Sequence, residues 1–180
     1  MRDHRIRGAR DEQMVDIRAY LTESNAIEGV QDDDALADSL DAWEYLQDQN
    51  ELSYTTLQST HEHILKNRQP EIAGAYRRSQ VKIGDRRPPP PGLVERAVEG
   101  LLDWEPADAV EALEWHVAFE QIHPFENGNG RIGRLVYLWH CRRKLGIEPL
   151  MWRAADREGY YDLFKSDIDV LAGLDDDGET

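Results

Sequence analysis

Cysteine is nearly absent from this chain of 180 residues, and long apolar runs are missing. Cys141 is the single cysteine, so no disulfide can form within the chain, and a reducing compartment is the default expectation. No stretch approaches the ~20 consecutive apolar residues that cross a bilayer, and residues 1–10 are charged rather than apolar. These absences predict a soluble cytoplasmic protein that does not act at a membrane.

Basic residues are also in short supply. The chain has 21 Lys and Arg, only 4 of them Lys, against 36 Asp and Glu, for a formal net charge of -15. Nucleic acids and anionic membranes bind basic surfaces, so we expect neither as a partner. The acidic composition fits a salt-rich cytoplasm and an ordinary acidic protein equally well.

Apolar residues recur mostly at helical spacing. They make up 40% of the chain, and this length suits one domain, residues 1–180. The spacing predicts an all-α fold of about seven to eight helices. We place them at about 11–29 (with Met14, Ile17 and Leu21 on one face), after N-caps at Asp32 and Ser53, at 93–102, from a first-turn Pro106 to Ile122, at 131–145 and at 155–171. Residues 173–180 are expected to fray.

Residues 74–92 break the helical pattern. Residues 75–83 are strand-like, Gly84 and Asp85 signal a turn, and the prolines at 88–91 cannot continue a helix. We therefore expect one small, exposed β-hairpin followed by an extended proline-rich arm.

The segment HPFENGNGRIGR, at 123–134, concentrates groups that bind phosphate. Gly128, Asn129 and Gly130 leave backbone N–H groups free to face an anion, and the N-terminus of the next helix adds partial positive charge. Arg131 and Arg134 stand three residues apart and share a helix face, where they can grip phosphate oxygens. This combination predicts a cradle for several phosphates.

His123 stands at the entrance of that cradle, and Phe125 follows two residues later. An imidazole titrates near neutral pH and can act as a general base. Phe125 is expected to be buried and to anchor the loop. Together these residues predict an active site rather than an ordinary glycine-rich turn.

The segment 123–134 resembles the signature of the Fic (Fido) family, His-x-Phe-x-Asp/Glu-Gly-Asn-Gly-Arg-x-x-Arg, and departs from it only at Asn127. Residues 74–91 are similar to the family's flap hairpin. The resemblance implies the mostly helical Fic fold. It also implies adenylyl transfer, in which ATP gives AMP to a Ser, Thr or Tyr hydroxyl of a target protein or of the chain itself.

The resemblance assigns roles to individual residues. His123 accepts the hydroxyl proton, Arg131 binds the β-phosphate and Arg134 binds the γ-phosphate. Gly128, Asn129 and Gly130 hold the α- and β-phosphates. Strand addition beside the flap aligns the target, so Tyr76, Arg77, Val81 and Ile83 are the implied docking residues.

Asn127 replaces the Asp or Glu that binds Mg²⁺ (or Mn²⁺) in the family's signature. A neutral amide oxygen ligates magnesium without charge attraction, so we expect a weakened metal site there. Glu126 is acidic but, one residue away, should point elsewhere.

Ser24 and Glu28, in the segment SNAIEG, form a second informative pair. Glu28 falls near a helix C-terminus, where the helix dipole disfavours a carboxylate and a cationic partner is favoured. The segment resembles the family's inhibitory motif, Ser/Thr-x-x-x-Glu-Gly/Asn. That resemblance implies that Glu28 pairs with Arg134 and takes the place of the γ-phosphate.

Other functions stay open. The same Glu28 could help remove AMP from a modified target, the fold could transfer another phosphate-containing moiety, as in kinase-like Doc chemistry, or the chain could be a non-catalytic nucleotide-binding module of a toxin–antitoxin pair. Other histidines and aromatic residues are interpreted as structural. They are His61, His63, His116, His140, Trp152, Tyr160 and Tyr161.

Overall fold

A computed structural model describes residues 14–165. Within this range the chain forms seven α-helices and no strand longer than an isolated bridge, which confirms the mostly helical fold. The helices are α1 (Ile17–Ile27), α2 (Asp33–Gln47), α3 (Tyr54–Leu65), α4 (Val94–Leu102), α5 (Ala109–Ile122), α6 (Asn129–Trp139) and α7 (Arg157–Asp162). A π-helical segment, His140–Leu145, continues α6. None of these helices is long and apolar enough to cross a membrane.

Side-chain caps set the start of four helices. Asp16, Asp32, Ser53 and Asp108 each accept a hydrogen bond from a backbone N–H in the first turn of α1, α2, α3 and α5. These bonds satisfy donors that have no partner within the helix. The caps predicted at Asp32 and Ser53 are confirmed.

Helix α6 lies at the centre of the core. It contacts α1, α2, α3 and α5, and all of its residues except Gly130 are buried. A helix that is buried on every side normally carries only apolar residues. Arg131 and Arg134 are exceptions in its first two turns, so the core itself holds two cations beside the 123–130 loop.

Several predicted helix bounds are wrong. Helix α1 begins at Ile17, and Met14 lies before it with 74% of its surface exposed. Pro106 precedes the cap rather than sitting in the first turn, because Asp108 accepts from the N–H groups that start α5. Helix α6 starts at Asn129, two residues early, since Gly128 adopts φ 79° and ends the loop.

The described residues include only the first part of the helix predicted at 155–171. Instead of one helix from 155, a 3₁₀ turn (Ala154–Asp156), the short α7 and a second 3₁₀ turn (Leu163–Lys165) follow each other. The predicted helix end at 171 and the tail at 173–180 lie outside the described residues.

The predicted hairpin is reduced to its turn. Ile83 and Arg86 form a single antiparallel bridge around Gly84 and Asp85. The strand expected at 75–83 does not form, because Tyr76 instead pairs with Phe125 of the signature loop. The flap is therefore held by the loop beneath it rather than by a second strand.

Candidate active site

His123 follows directly after α5 and turns the chain. Its backbone is left-handed (φ 50°), the only such non-glycine residue in the part of the chain that the structure describes. Its N–H donates to the Phe119 carbonyl at 2.9 Å, which ends the helix. Burial lowers the pKa of His123 to about 4, with Arg77 also lowering it and the Glu120 carbonyl opposing the shift. The imidazole is therefore neutral at pH 7 and can accept a proton.

Arg77 fixes the end of α5 from the flap side. Its Nε donates to the carbonyl of His123 at 2.7 Å, and its Nη2 donates to the carbonyls of Pro89 (2.6 Å) and Ile122 (3.3 Å). The side chain is 2% exposed, and Nη1 donates to the Ser79 carbonyl. The guanidinium of Arg77 is thus turned inward and bonded to backbone carbonyls, and the docking role of Arg77 stays a prediction.

Phe125 anchors the loop, as expected. It is fully buried, and its ring stacks on His61 with a centroid distance of 3.8 Å. The Asn129 side chain accepts from the Phe125 N–H and donates to the Phe125 carbonyl, each at 2.9 Å. The side chain of Asn129 thus shapes the loop, which leaves its backbone N–H as the donor that it could offer to a phosphate.

His61 supports the loop from α3, which agrees with a structural role. Its Nδ1 accepts from the Gly74 N–H at 2.9 Å, so its Nε2 carries the proton and donates to the Asn127 carbonyl at 3.0 Å. Burial lowers the pKa of His61 to about 4. The neutral ring therefore joins the flap base to the signature loop.

Glu126 points to the flap, away from Asn127, which agrees with the expectation that it points elsewhere. Its carboxylate accepts from the Ser79 hydroxyl at 2.8 Å and from the backbone N–H groups of Arg78 and Ser79. These bonds lower the pKa of Glu126. They also leave it no part in a metal site on the arginine side of the loop.

Arg131 is a cation buried without a full set of partners. It is 4% exposed, and its Nε has no hydrogen-bond partner among the described residues. Burial lowers its pKa, in keeping with an incompletely compensated charge. A buried guanidinium in this state favours an anionic ligand.

Arg134 is held by α1. Its Nε donates to the Ser24 hydroxyl, and its Nη2 donates to the Ser24 carbonyl and to Glu28 Oε1, all at 2.8 Å. The guanidinium is 1% exposed and lies 5.0 Å from the ring centroid of Tyr160. Its Nη1 has no partner in the described range. The ion pair implied by the resemblance, Glu28 to Arg134, is thus present.

The Glu28 carboxylate also covers the start of α6. A Cβ placed on Gly130 would overlap Glu28 Oε1, so the carboxylate rests directly on that glycine. The first N–H groups of α6 have no acceptor within the helix, and no side chain caps them. A carboxylate therefore occupies the position at a helix N-terminus where another anion would bind.

A cavity of about 500 Å³ opens beside these residues. Glu28, Glu120, His123 and Gly130 line its polar end. Its other walls come from the flap, the proline arm and the C-terminal segment, namely Ile83, 86–90, Tyr160, Tyr161 and Phe164. A hydrogen bond from Arg86 to the Phe164 carbonyl joins the flap to that segment.

Two features of this cavity escape the sequence-based prediction. Glu120 is not among the candidate residues of the sequence analysis. Tyr160 was interpreted as packing; it is 2% exposed and does pack, but it also borders the cavity beside Arg134. A glutamate one helical turn before His123 was the one signal that could have revealed Glu120.

Of the four flap residues predicted to dock a target, Val81 and Ile83 are accessible, whereas Tyr76 and Arg77 are engaged in contacts within the chain. Ile83 is 36% exposed and Val81 is half-buried. Tyr76 is already engaged, because its backbone bridges to Phe125 and its ring packs 5.1 Å from the Phe125 ring. Docking through the backbone of Tyr76 would have to displace that bridge.

Asn127 does not fit a metal ligand as it lies here. Its amide donates to Gln69 Oε1 and accepts from the Gly128 N–H, both at 2.7 Å. Among residues 14–165, no group of three or more His, Cys, Asp or Glu side chains could hold a metal ion. Within this range the His, Cys, Asp and Glu side chains therefore form no such metal site on their own.

Comparison with known proteins agrees with this geometry. The model of the Fic/DOC family matches residues 51–141, just over half of the chain. The chain belongs to the Fic/DOC family, and the predicted resemblance is confirmed.

The similar proteins are longer than this chain. Protein adenylyltransferase Fic of Nematostella vectensis is 32% identical over 109 residues, which are 57% of this chain and 25% of that protein. Protein adenylyltransferase fic-1 of Caenorhabditis briggsae is 30% identical over 119 residues, 62% of this chain and 23% of that protein. The chain thus spans about a quarter of the length of the curated relatives it matches.

Solved structures share the fold. Fic-1 from C. elegans superposes with a TM-score of 0.67 at 22% identity, covering 81% of this chain and 53% of that one. A Fic domain containing signaling protein from Bacteroides thetaiotaomicron gives a TM-score of 0.71 at 18% identity, covering 82% and 70%. At these identities the likeness establishes the Fic fold.

Proposed function

We propose that this chain is a self-inhibited protein adenylyltransferase that transfers AMP from ATP to a side-chain hydroxyl. One observation carries the proposal: a neutral His123 lines the same cavity as Gly130 and Glu28, and Glu28 is paired with the buried Arg134. Arg134 and the neighbouring Arg131 each have a buried nitrogen without a partner among the described residues. Phosphate binding alone would use the arginines but would need no general base. The relatives named protein adenylyltransferase support the same reaction.

In this reaction the target hydroxyl gives its proton to the His123 imidazole while its oxygen attacks the α-phosphorus. The bond between the α-phosphorus and the bridging oxygen breaks, and pyrophosphate leaves. The backbone N–H groups of Gly128, Asn129 and Gly130 and the Arg131 guanidinium hold the phosphates, and each preorganised donor contributes roughly 10²–10³ in rate. No step is assigned to Mg²⁺ or Mn²⁺, because Asn127 does not present a metal site.

Self-inhibition rests on Glu28 in this proposal. Its carboxylate is paired with Arg134 and lies on Gly130, so a γ-phosphate cannot reach either group until Glu28 withdraws. The Glu28 side chain is 30% exposed, whereas Arg134 is 1% exposed. Glu28 is therefore the partner that can leave, and Arg134 stays in place.

The target class follows from the flap. Ile83 lines the cavity that His123 also lines, and Val81 lies two residues before it. An extended segment lying along these two flap residues would bring its hydroxyl toward His123. The proposal accordingly names a protein with a Ser, Thr or Tyr at an exposed extended segment, or a second copy of the chain.

Labelled ATP tests the proposal. The purified protein and its Glu28→Gly variant are incubated with α-labelled or γ-labelled ATP, with added Mg²⁺ or Mn²⁺, and protein-bound label is measured. We expect label from the α-phosphate only, at least tenfold more in Glu28→Gly, because removal of the carboxylate frees Arg134 and Gly130.

His123→Ala is the catalytic control and should abolish the label, while the exposed Glu114→Gln on the same helix should leave it unchanged. Label from γ-labelled ATP alone would mean kinase chemistry. Equal labelling of the parent and Glu28→Gly, with normal ATP binding, would remove Glu28 as the brake.

Removal of AMP is a second candidate, favoured by the position of Glu28 on the same cavity edge as His123. A carboxylate there can orient a water toward a phosphodiester, and the neutral histidine can take its proton. A pre-adenylylated target distinguishes the two reactions. Loss of its label with the parent protein, but not with Glu28→Gly, would favour removal over transfer.

A further inference from the structure

Glu120 is a carboxyl of the cavity that the proposed reaction leaves unused. It lies on α5, three residues before His123, and lines the same cavity as His123 and Glu28. Its Oε1 is buried and has no hydrogen-bond partner among the described residues. A buried carboxyl oxygen without a partner is costly, so its position calls for a ligand or a function.

Two glycines of α6 admit two carboxyls side by side. Glu28 rests on Gly130, and a Cβ on Gly133 would lie 2.6 Å from Glu120 Oε1 and 2.8 Å from the His116 ring. Gly130 and Gly133 are three residues apart and share a helix face. Arg134 is the next residue after Gly133. The carboxyls of Glu28 and Glu120 therefore both lie on the helix face next to Arg134, one at Gly130 and the other at Gly133.

A single cation, Arg134, cannot balance both the partly exposed carboxylate of Glu28 and the buried carboxyl of Glu120. Burial raises the pKa of Glu120 to about 8, Arg134 lowers it and Glu28 raises it further. Glu120 is therefore neutral at pH 7 and carries an O–H donor, while Glu28 holds the single negative charge paired with Arg134. Of the two carboxyls beside Arg134, Glu28 is therefore the anion and Glu120 the neutral acid.

We propose that Glu120 acts as a neutral carboxylic acid that donates a hydrogen bond to a phosphoryl oxygen of the nucleotide that replaces Glu28 at Arg134. This inference rests on the proposed function and names a further ligand-binding residue for the same cavity. The incoming phosphate brings a negative charge to the place that Glu28 vacates. A negative charge thus stays beside Arg134, and this charge keeps Glu120 protonated. The phosphate also supplies the hydrogen-bond acceptor that Glu120 lacks.

The groups around Glu120 leave it as the one that titrates in mildly alkaline solution. His116 and His123 are buried, with pKa values lowered to about 3 and about 4, so both stay neutral. Tyr160 has a pKa raised well above its usual value by burial, and the pKa of Arg134 is also raised. Glu28, the remaining neighbour, is paired with Arg134.

The test measures ATP binding by calorimetry from pH 7 to pH 9 in the full chain carrying Glu28→Gly, so that ATP can reach Arg134. On this background Glu120 is intact, changed to Gln or changed to Ala. With Glu120 intact, affinity should fall about tenfold over this range, as the acid ionises and repels the phosphate. Glu120→Gln keeps a neutral donor, so it should bind within about twofold at pH 7 and lose the alkaline decline, whereas Glu120→Ala should bind about tenfold more weakly at pH 7.

Further controls show which part of the proposal is at fault if the expected result is not obtained. Glu114→Gln, an exposed change on the same helix, should keep the full alkaline decline. Adenosine, which lacks phosphates, should bind without any effect of position 120; an equal effect with adenosine would overturn the assignment to a phosphoryl oxygen. An unchanged pH profile in Glu120→Gln would overturn the inference itself, while no ATP binding by any form would instead overturn the proposed function. Thermal unfolding of each variant verifies that it is folded.

Discussion

Two buried arginines flank the candidate active site, and they are bound in opposite ways. Arg77, on the flap side, donates only to backbone carbonyls, those of Ser79, Pro89, Ile122 and His123. Arg134, on the α1 side, donates to a hydroxyl, a carbonyl and the carboxylate of Glu28, and its Nη1 has no partner in the described part of the chain. Arg77 has fixed partners, whereas Arg134 has one that can be exchanged.

This difference in partners suits Arg77 to positioning His123 and suits Arg134 to binding an anion. Backbone carbonyls at a helix C-terminus cannot leave without unfolding the helix end, so Arg77 holds His123 permanently. A partly exposed carboxylate can rotate into solvent at modest cost, so Arg134 can accept another anion. Residue type alone did not distinguish them, since both are arginines within or beside family motifs.

Between the two arginines, a change at the fixed one, Arg77, should have the larger effect. Arg77→Ala leaves four carbonyls without their donor and opens a gap under the flap, so we expect the free energy of unfolding to fall by more than about 3 kcal/mol. Arg77→Lys should recover part of the loss, because one ammonium cannot reach all four carbonyls. Chemical denaturation measures both, with the exposed neighbour Arg78→Ala as the control. A loss below about 1 kcal/mol for Arg77→Ala would contradict the positioning role.

Acid should also weaken both sides of the site. Each arginine lowers the pKa of a neighbouring buried histidine, Arg77 that of His123 (about 4) and Arg134 that of His116 (about 3), although burial is the larger cause. His61 and His140 are also lowered, to about 4. The unfolded chain therefore binds more protons than the folded one below pH 6.5.

The stability contributed by these neutral histidines is fully present above pH 6.5 and is lost as the pH falls toward 4. Glu120 opposes the trend, since its raised pKa makes the folded state gain stability as the pH falls below about 8. We expect a net loss of about 5 kcal/mol in the free energy of unfolding between pH 7 and pH 5, because four histidines lose stability and only Glu120 gains it. Urea titrations at each pH measure it. NMR should show the His116 and His123 ring resonances unchanged over this range; titration of either ring near pH 6.5 would contradict the burial argument.

Removing one hydrogen-bond partner of Arg134 should have the smallest effect on stability. Ser24→Ala removes the hydroxyl that accepts from Arg134 Nε but keeps the Ser24 carbonyl, so a loss of about 1.5 kcal/mol is expected. The proposed brake should loosen as well and raise α-label incorporation about threefold. Thr22→Ala, an exposed hydroxyl on the same helix, should change the free energy of unfolding by less than about 0.5 kcal/mol. Equal effects of the two variants would show that Ser24 does not support Arg134.

The sequence revealed the parts of this site that depend on local spacing. The histidine, the helix start and the two arginines are contiguous at 123–134, and the caps at Asp32 and Ser53 act within one turn. The all-helical fold followed from apolar periodicity. Such features are readable because neighbouring residues in the chain create them.

Long-range partners were not readable in the same way. The inward turn of Arg77 depends on carbonyls 12 to 46 positions away, and the neutrality of Glu120 depends on its burial beside Arg134. The strand expected at 75–83 failed for a related reason, since Phe125 pairs with Tyr76 across the fold. The Glu28–Arg134 pair was anticipated only through the family resemblance, because 106 residues separate the two.

Gly130 links the two states of the site in a way that constrains mutation. Its missing side chain makes room for the Glu28 carboxylate in one state and, in the proposed reaction, for a phosphate in the other. A larger residue at 130 would overlap the Glu28 carboxylate and, in the proposed reaction, the phosphate as well. If the proposed inhibition holds, a change at Gly130 that removed it would also remove the reaction. Activating mutations are then expected at Glu28 or in the residues of α1 that support it, which the proposed chemistry does not use.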